Sequence, residues 1–206
     1  MRVLVACKFS GVVRDAFTAA GHYAVSCDLL PSDSPGRHFQ GDVGSLLNDQ
    51  WDLMIAHPPC TFLTVAANKW MKPEYAERFP NRARDRELAV EFFMTLYEAP
   101  IKRVAVENPI GIMSSRFRKP DQIVQPWMFG HGETKATCLW LRNLPPLFPT
   151  DIVQGREQRL HRLPPSKDRW KLRSTTFAGV AAAMAEQWGT LDDGQSSSPG
   201  CGPFTT

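Results

Sequence analysis

The chain of 206 residues contains no run of about 18 apolar residues, so no membrane-spanning helix is expected. Its five cysteines, Cys7, Cys27, Cys60, Cys138 and Cys201, are odd in number and include no Cys-x-x-Cys pair. That excludes a disulfide framework and the usual structural zinc site. The histidines His22, His38, His57, His131 and His161 are scattered, and no metal-ligand set emerges from them. No internal repeat is present. Residues 1–7 carry one charge before a short apolar run, without the long hydrophobic region and cleavage site of a secretory leader, and they read as a first strand. A reducing cytoplasm, with no membrane partner, is the expected setting. The formal net charge of +3 is too small to identify a nucleic-acid partner by itself.

What is present is the composition of a globular protein: 43% hydrophobic, 22% charged and 10% aromatic residues. The length favours one domain with a sizeable core, over residues 1–190, followed by a Gly-, Ser- and Pro-rich tail at 191–206 that is expected to be disordered and carries Cys201. Residues 1–110 alternate strand-like and helix-like segments: strands at 2–6, 23–27, 52–56 and 101–106, a helix opened by Gly11 and stopped at Gly21, and a helix at 82–98. In that second helix Leu88, Phe92 and Leu96 recur every four residues beside Val90, Phe93 and Tyr97. The alternation predicts an α/β fold with helices on both faces of the sheet. Residues 61–81 show no clear period.

After Pro109 the texture changes. Residues 111–172 are dense in Pro, Arg and Trp and predict a small irregular insertion, with a strand pair at 125–129 and 136–141 around Gly130-His131-Gly132. Helical spacing returns at 174–188, where Phe177, Val180, Met184 and Trp188 share a face. Within 150–175 seven basic residues (Arg156, Arg159, Arg162, Lys167, Arg169, Lys171, Arg173) face three acidic ones (Asp151, Glu157, Asp168), with Trp170 among them. Such a cluster suits a phosphate backbone and an unstacked base, and equally a solvated surface.

Two apolar runs end on reactive groups. The first is Asp52-Leu53-Met54-Ile55-Ala56-His57-Pro58-Pro59-Cys60, and the second is Val104-Ala105-Val106-Glu107-Asn108-Pro109. An open α/β sheet builds its site at the carboxyl ends of its strands, so a thiol and a carboxyl there are candidates to meet over one substrate. A free cysteine is most often a buried, inert residue, and Cys7, Cys27 and Cys138, inside strand-like runs, are assigned to packing. Cys60 differs because Pro58 and Pro59 fix the chain as it leaves the strand and carry the thiol off the ladder. Glu107, at a strand end, is expected to be partly desolvated, which favours its protonated form. His57, three residues before Cys60, is either a polar strand-end residue or a helper of the thiol or a ligand. Lys69 and Lys72 read as phosphate-facing or as solvated.

In order and approximate spacing, the set Phe9-Ser10-Gly11, Asp28, Gly41-Asp42, Pro58-Pro59-Cys60 and Glu107-Asn108-Pro109 resembles the sequence blocks of the cytosine-C5 DNA methyltransferases. The likeness is closest to short, phage-type, divergent members of that family. It covers about the first 110 residues, and the last helix resembles the family's closing block. The resemblance implies a Rossmann-like S-adenosylmethionine-dependent methyltransferase sheet. It divides the domain into a cofactor and catalytic half (1–110), a reduced substrate-recognition segment (111–172) and a closing helix (173–190).

The implied reaction is methyl transfer from S-adenosyl-L-methionine to C5 of a pyrimidine, cytosine in DNA being favoured, through a covalent cysteine adduct. Cys60 would be the nucleophile and Glu107 the acid toward N3 of the base. Pro59, Asn108, Pro109, His57, Arg156, Arg159 and Trp170 are the candidate substrate-binding residues. Phe9, Ser10, Gly11, Asp28, Asp42 and Pro58 are the candidates for the cofactor, and no metal is expected. A duplex substrate would have to release its base from the stack. The alternatives are another C5-directed modification of DNA, RNA or a nucleotide, or a catalytically silent DNA- or partner-binding protein with the same shell.

The chain also departs from the family. Ala56-His57 stands where Gly-Gly is common, and Thr61 where Gln follows the cysteine. The Gln-x-Arg-x-Arg block is represented at 154–162 only by residue types without the spacing. About 60 residues separate Pro109 from the closing helix, short for a recognition domain. Recognition is therefore expected to be reduced, or supplied by a homo-oligomer or a partner.

Overall fold

The structure, a computed structural model, describes residues 1–191. The expected disordered tail and its Cys201 lie outside the described residues. The elements in chain order are β1 (Arg2–Ala6), α1 (Val12–Ala19), β2 (Tyr23–Asp28), β3 (His38–Gln40), β4 (Leu53–Ala56), α2 (Arg82–Glu98), β5 (Arg103–Pro109), α3 (Met113–Arg116), β6 (Gln122–Val124), β7 (Thr137–Arg142), α4 (Arg159–Arg162), α5 (Arg169–Ser174) and α6 (Ala178–Gly189). Short 3-10 turns occupy Val65–Met71 and Pro73–Tyr75, where the sequence shows no period.

All seven strands join one sheet in the order β3-β2-β1-β4-β5-β7-β6. The first five are mutually parallel, and β7 runs antiparallel to both of its neighbours, β5 and β6. From β1 the chain first builds outward through β2 and β3, then returns to add β4 and β5 on the other side. The order therefore reverses between β1 and β4, and the crevice beyond the carboxyl ends of those strands is where such a sheet takes its ligands.

Period-two alternation divides the strand residues between two apolar layers. Val3, Val5, Leu53, Ile55, Ala105, Leu139 and Leu141 pack with Val13 and Phe17 of α1 and with Val180, Met184 and Trp188 of α6. Leu4, Ala6, Met54, Ala56, Val104, Val106 and Trp140 pack with Phe93 and Leu96 of α2. The strands β1, β4 and β5 are buried on both faces, which is why they read as unbroken apolar runs rather than alternating ones. The α/β expectation of a Rossmann-like sheet with helices on both faces holds.

Several boundaries differ from those expected. The helix at 82–98 has the expected limits, but its inward face centres on Phe93 and Leu96, and Leu88 is half exposed. β5, expected to end at Val106, runs on to Pro109 because β7 continues the ladder as far as Pro109↔Thr137. Glu107 and Asn108 thus belong to the sheet. The strand pair around Gly130 exists, though its first member is Gln122–Val124, since Pro126–Met128 forms a 3-10 turn. Both strands extend the main sheet, so part of the segment 111–172 is regular. The closing helix starts at Ala178, and the residues just before it form the separate α5. Among the described residues no helix is long and apolar enough to cross a membrane.

Candidate active site

The reversal point places the ends of β1, β4 and β5 side by side. Ala6 of β1 is in register with Ala56 of β4, and Ala56 with Val106 of β5. One residue further along, the backbone N–H of His57 donates to Ala6 O at 2.9 Å, while its Nδ1 lies 2.8 Å from Glu107 Oε2. Beyond that pair, Asn108 Nδ2 donates to Pro58 O at 2.9 Å. The two segments singled out in the sequence are thus tied residue for residue.

They open on a cleft of about 530 Å³. One end is lined by His57, Pro58, Pro59, Cys60, Glu107, Asn108 and Pro109, and the other by Phe9, Asp28, Leu29, Leu30 and Asp42. Cys60 is half-buried behind its two prolines. Its thiol is pushed up from the ordinary value by burial and then by the Glu107 charge, while Lys135 and Arg173 pull the other way. The thiol therefore rests protonated. Cys7 also lines the cleft, from a left-handed backbone position (φ 56°), so its expected role as packing is incomplete. Burial above all holds it protonated, with a pKa of about 12, and does the same for Cys27 and Cys138 at about 11 each.

The expected protonated state of Glu107 is not found. Burial does push this carboxyl up, but the His57 hydrogen bond, the charge His57 carries when protonated, and the positive charges of Lys135 and Lys8 outweigh it and hold the carboxyl below the usual carboxylate range. Glu107 is a carboxylate at neutral pH. His57 is shifted down, chiefly by burial and then by Lys8. A carboxylate accepts only, so the neutral imidazole carries its proton on Nδ1. Its Nε2 is buried without a hydrogen-bond partner, as is Asn108 Oδ1.

At the opposite end the turn from β1 into α1 carries Phe9, Ser10 and Gly11. Gly11 caps α1 at φ 72°, and a Cβ there would fall 2.1 Å from Ser34 Oγ and 2.6 Å from an Arg14 nitrogen. The position demands glycine both for its backbone and for its space. The Ser10 hydroxyl is buried with no partner, and neither Ser10 nor Gly11 is among the cleft-lining residues. Asp28 accepts from Leu30 N through Oδ1, and Asp42 from Gly44 N through Oδ1, so each carboxylate serves its own loop through one oxygen. A carboxylate retains acceptor capacity beyond one such bond, here on the cleft side.

The basic segment of the sequence divides in two. Trp170 reaches the cleft, with its ring centroid 5.5 Å from that of Phe9. Arg156 instead lies over Trp127 at 3.7 Å, and Arg159 pairs with Glu133 and Glu157. Neither arginine lines the cleft. A different basic and aromatic grouping directly follows Cys60: Lys69 over Trp70, Arg78 over Phe79 and Arg82 over Phe62.

Lys8, Lys135 and Arg14 escaped the sequence reading, whereas Arg173 belongs to the basic cluster it marked. Lys8, 4% exposed, donates from Nζ to Ser174 O at 2.5 Å, and Lys135 donates to Thr175 O at 3.2 Å. Lys8 had a signal, for it is a charge within two residues of the end of an apolar strand, the rule that found Glu107. Arg14 had a weaker one, a cation on the apolar side of α1 between Val13 and Phe17. Its buried guanidinium holds the loop after β2 by bonds to Ser26, Ser32, Ser34 and Pro35. Among the described residues no group of His, Cys, Asp and Glu side chains suits a metal ion.

No family model matches the chain, and no curated protein does. Several solved structures are similar, among them the following two. One is described as a candidate DNA modification methyltransferase encoded within an Escherichia coli prophage, with 16% identity and a TM-score of 0.42 over 68% of this chain and 46% of that one. The other is a mutant of Spodoptera frugiperda DNMT2, with 12% identity and a TM-score of 0.42 over 75% of this chain and 57% of that one. The chain spans about half the length of these structures.

Proposed function

We propose that this chain transfers a methyl group from S-adenosylmethionine to C5 of a pyrimidine, with cytosine in DNA as the favoured substrate. The observation that carries this reading is the cleft itself. At one end Cys60 and the Glu107-Asn108 pair converge from adjacent strands, and at the other an aromatic ring and two carboxylates make a nucleoside-binding surface.

The residues present fit the cofactor. The volume lies within the roughly 300–1,000 Å³ of small-molecule sites. Asp28 ends the second strand, where a carboxylate suits ribose hydroxyls, and Phe9 offers a ring to adenine. Bound there, S-adenosylmethionine supplies an electrophilic methyl group.

The chain's own residues handle the base. As the Cys60 sulfur bonds to C6, its S–H proton passes to the Glu107 carboxylate and from there to N3, so the ring never carries a full negative charge. The electron pair displaced from the C5–C6 double bond makes C5 nucleophilic toward the methyl group. Loss of the C5 proton to a solvent base and cleavage of the S–C6 bond then restore the aromatic ring, and the N3 proton returns through Glu107 to the departing Cys60 thiolate. The unpartnered Asn108 Oδ1 is an acceptor suited to the exocyclic amine, which cytosine has and thymine lacks.

The cationic side chains laid on Phe62, Trp70 and Phe79, in the segment that follows Cys60 in the chain, favour a nucleic acid over a free nucleotide, since they combine phosphate-attracting charge with flat rings. With β6 and β7 taken into the sheet, little chain is left to read a sequence, so recognition is expected from a second copy or a partner.

The test is transfer of labelled methyl groups to DNA, RNA and deoxycytidine nucleotide. DNA is expected to take label, Cys60→Ala to abolish it, and an oligonucleotide bearing 5-fluorocytosine to trap a covalent complex through Cys60. The raised pKa of the Cys60 thiol favours a second reading, a silent nucleic-acid-binding shell. Retained binding without label on any substrate would select it.

A further inference from the structure

His57 makes contacts that methyl transfer alone does not require of it. Its ring is 4% exposed, the two prolines after it stiffen the chain, and its own N–H is bonded to Ala6 O, so the imidazole has little freedom to turn. Nδ1 lies 2.8 Å from Glu107 Oε2. The charged groups that act on this pair come from three directions: Lys8 beyond β1, Lys135 before β7, and Glu107 itself on β5. Cys60 and Cys138 also feel the Glu107 charge. Two ammonium groups near one flexible carboxylate offer it competing partners. A glutamate drawn to either lysine would turn away from the base, and misplacement by about 1 Å is enough to cost a catalytic group most of its effect.

We propose that His57 is the positioning residue of the catalytic carboxylate: its Nδ1–H fixes one oxygen of Glu107 and leaves the other facing the cleft, free to take the Cys60 proton. This rests on the methyl-transfer reading above. In the step, the S–H bond breaks, the S–C6 bond forms, and the proton crosses the free Glu107 oxygen to N3, while the Nδ1 proton of His57 stays where it is. The neutral ring and the buried, unpartnered Nε2 agree with a donor to Glu107 that serves no other group.

Two substitutions separate positioning from simple support of the fold. His57→Asn keeps an N–H near the place of Nδ1, and His57→Ala removes it. Methyl transfer is followed against pH, and the Glu107 carboxyl is titrated by carbon-13 NMR in the free protein, a readout independent of turnover. The Ala variant is expected to lose about 10- to 100-fold in kcat, the scale of one charge-assisted hydrogen bond. Its KM for the methyl donor should change less than about two-fold, and its Glu107 titration should move up toward the ordinary carboxylate range. Because the carboxylate must start ionised, the acid limb of kcat should move up with it. The Asn variant should recover most of the rate and the low titration. An Ala variant as fast as the parent, or an Asn variant as slow as Ala with the Glu107 titration unmoved in both, overturns the proposal. If the parent transfers no label, the methyl-transfer reading fails, and the titration still decides whether His57 holds Glu107. If the Ala variant does not fold, the Asn titration against the parent decides alone: a low value supports the assignment and a normal one overturns it.

Discussion

The ring of Trp170 meets that of Phe9 at 5.5 Å with the planes inclined by 56°. Residues far apart in the chain are joined because α5 lies across the first turn of the sheet, fastened also by Lys171 to Asp33 at 2.9 Å and by Lys8 to the carbonyl of Ser174. Trp170, marked in the sequence for a nucleic acid, therefore lies beside Phe9, at the end of the cleft proposed to hold the cofactor. Aromatic stacking on a base is worth about 1–3 kcal/mol. Trp170→Ala is expected to weaken S-adenosylhomocysteine by roughly ten-fold in calorimetry while leaving nucleic-acid affinity within about two-fold. The opposite pattern would return Trp170 to the nucleic acid.

Glu107→Gln should separate thiol reactivity from turnover. The Glu107 charge helps hold the Cys60 thiol protonated, so its removal lowers the thiol pKa. Iodoacetamide should then label Cys60 faster than in the parent at the same pH, while methyl transfer falls by about 100-fold or more, the scale of general acid–base catalysis. Equal alkylation rates would show that the two groups do not interact.

Lys8 gives stability an unusual dependence on alkaline pH. Burial lowers its pKa from 10.5 to about 8, against the opposing pull of Glu107. Between those values the unfolded chain holds the proton that the folded chain has released, so this group makes stability rise with pH, by up to about 3 kcal/mol. Urea denaturation at pH 8 and at pH 10.5 should show Lys8→Met losing most of that rise. An unchanged slope would place its origin elsewhere.

Arg14, 1% exposed, is the organiser of the loop after β2. Its guanidinium bonds three serine hydroxyls and the carbonyls of Ser34 and Pro35, with Asp15 at 2.7 Å as its charged partner. Arg14→Met strands those acceptors, and a loss of about 3 kcal/mol in chemical denaturation is expected. A loss under about 1 kcal/mol would mean that water replaces the arginine.

The sequence showed most where one strong local pattern governed. Apolar runs announced β1, β4 and β5, and the four-residue recurrence marked α2 residue for residue. Glu107 and Cys60 were legible because charge and thiol stood at the ends of such runs. The protonation of Glu107 was not, since it depends on Lys8, Lys135 and His57, brought together only by strand order. Nor was the extension of β5 to Pro109, for an Asn-Pro pair reads as an end and only the ladder with β7 keeps it in the sheet. Arg156 and Arg159 show the limit of counting charge, because a basic run does not reveal which of its members already have partners.

The division of charge along the cleft has a consequence for how a ligand arrives. Asp28 and Asp42 line the cleft together with Phe9, while Lys135 and Arg173 act on Cys60, and Lys8 feels the charges of both Asp28 and Glu107. The walls thus form a fixed dipole. A molecule whose hydroxyls lie at one extremity and whose carboxylate or phosphate lies at the other is turned into a single heading by this field during its approach, ahead of any hydrogen bond. Selection between the two ways of entering is made in flight, and added salt should blunt it at the mouth sooner than in the depth.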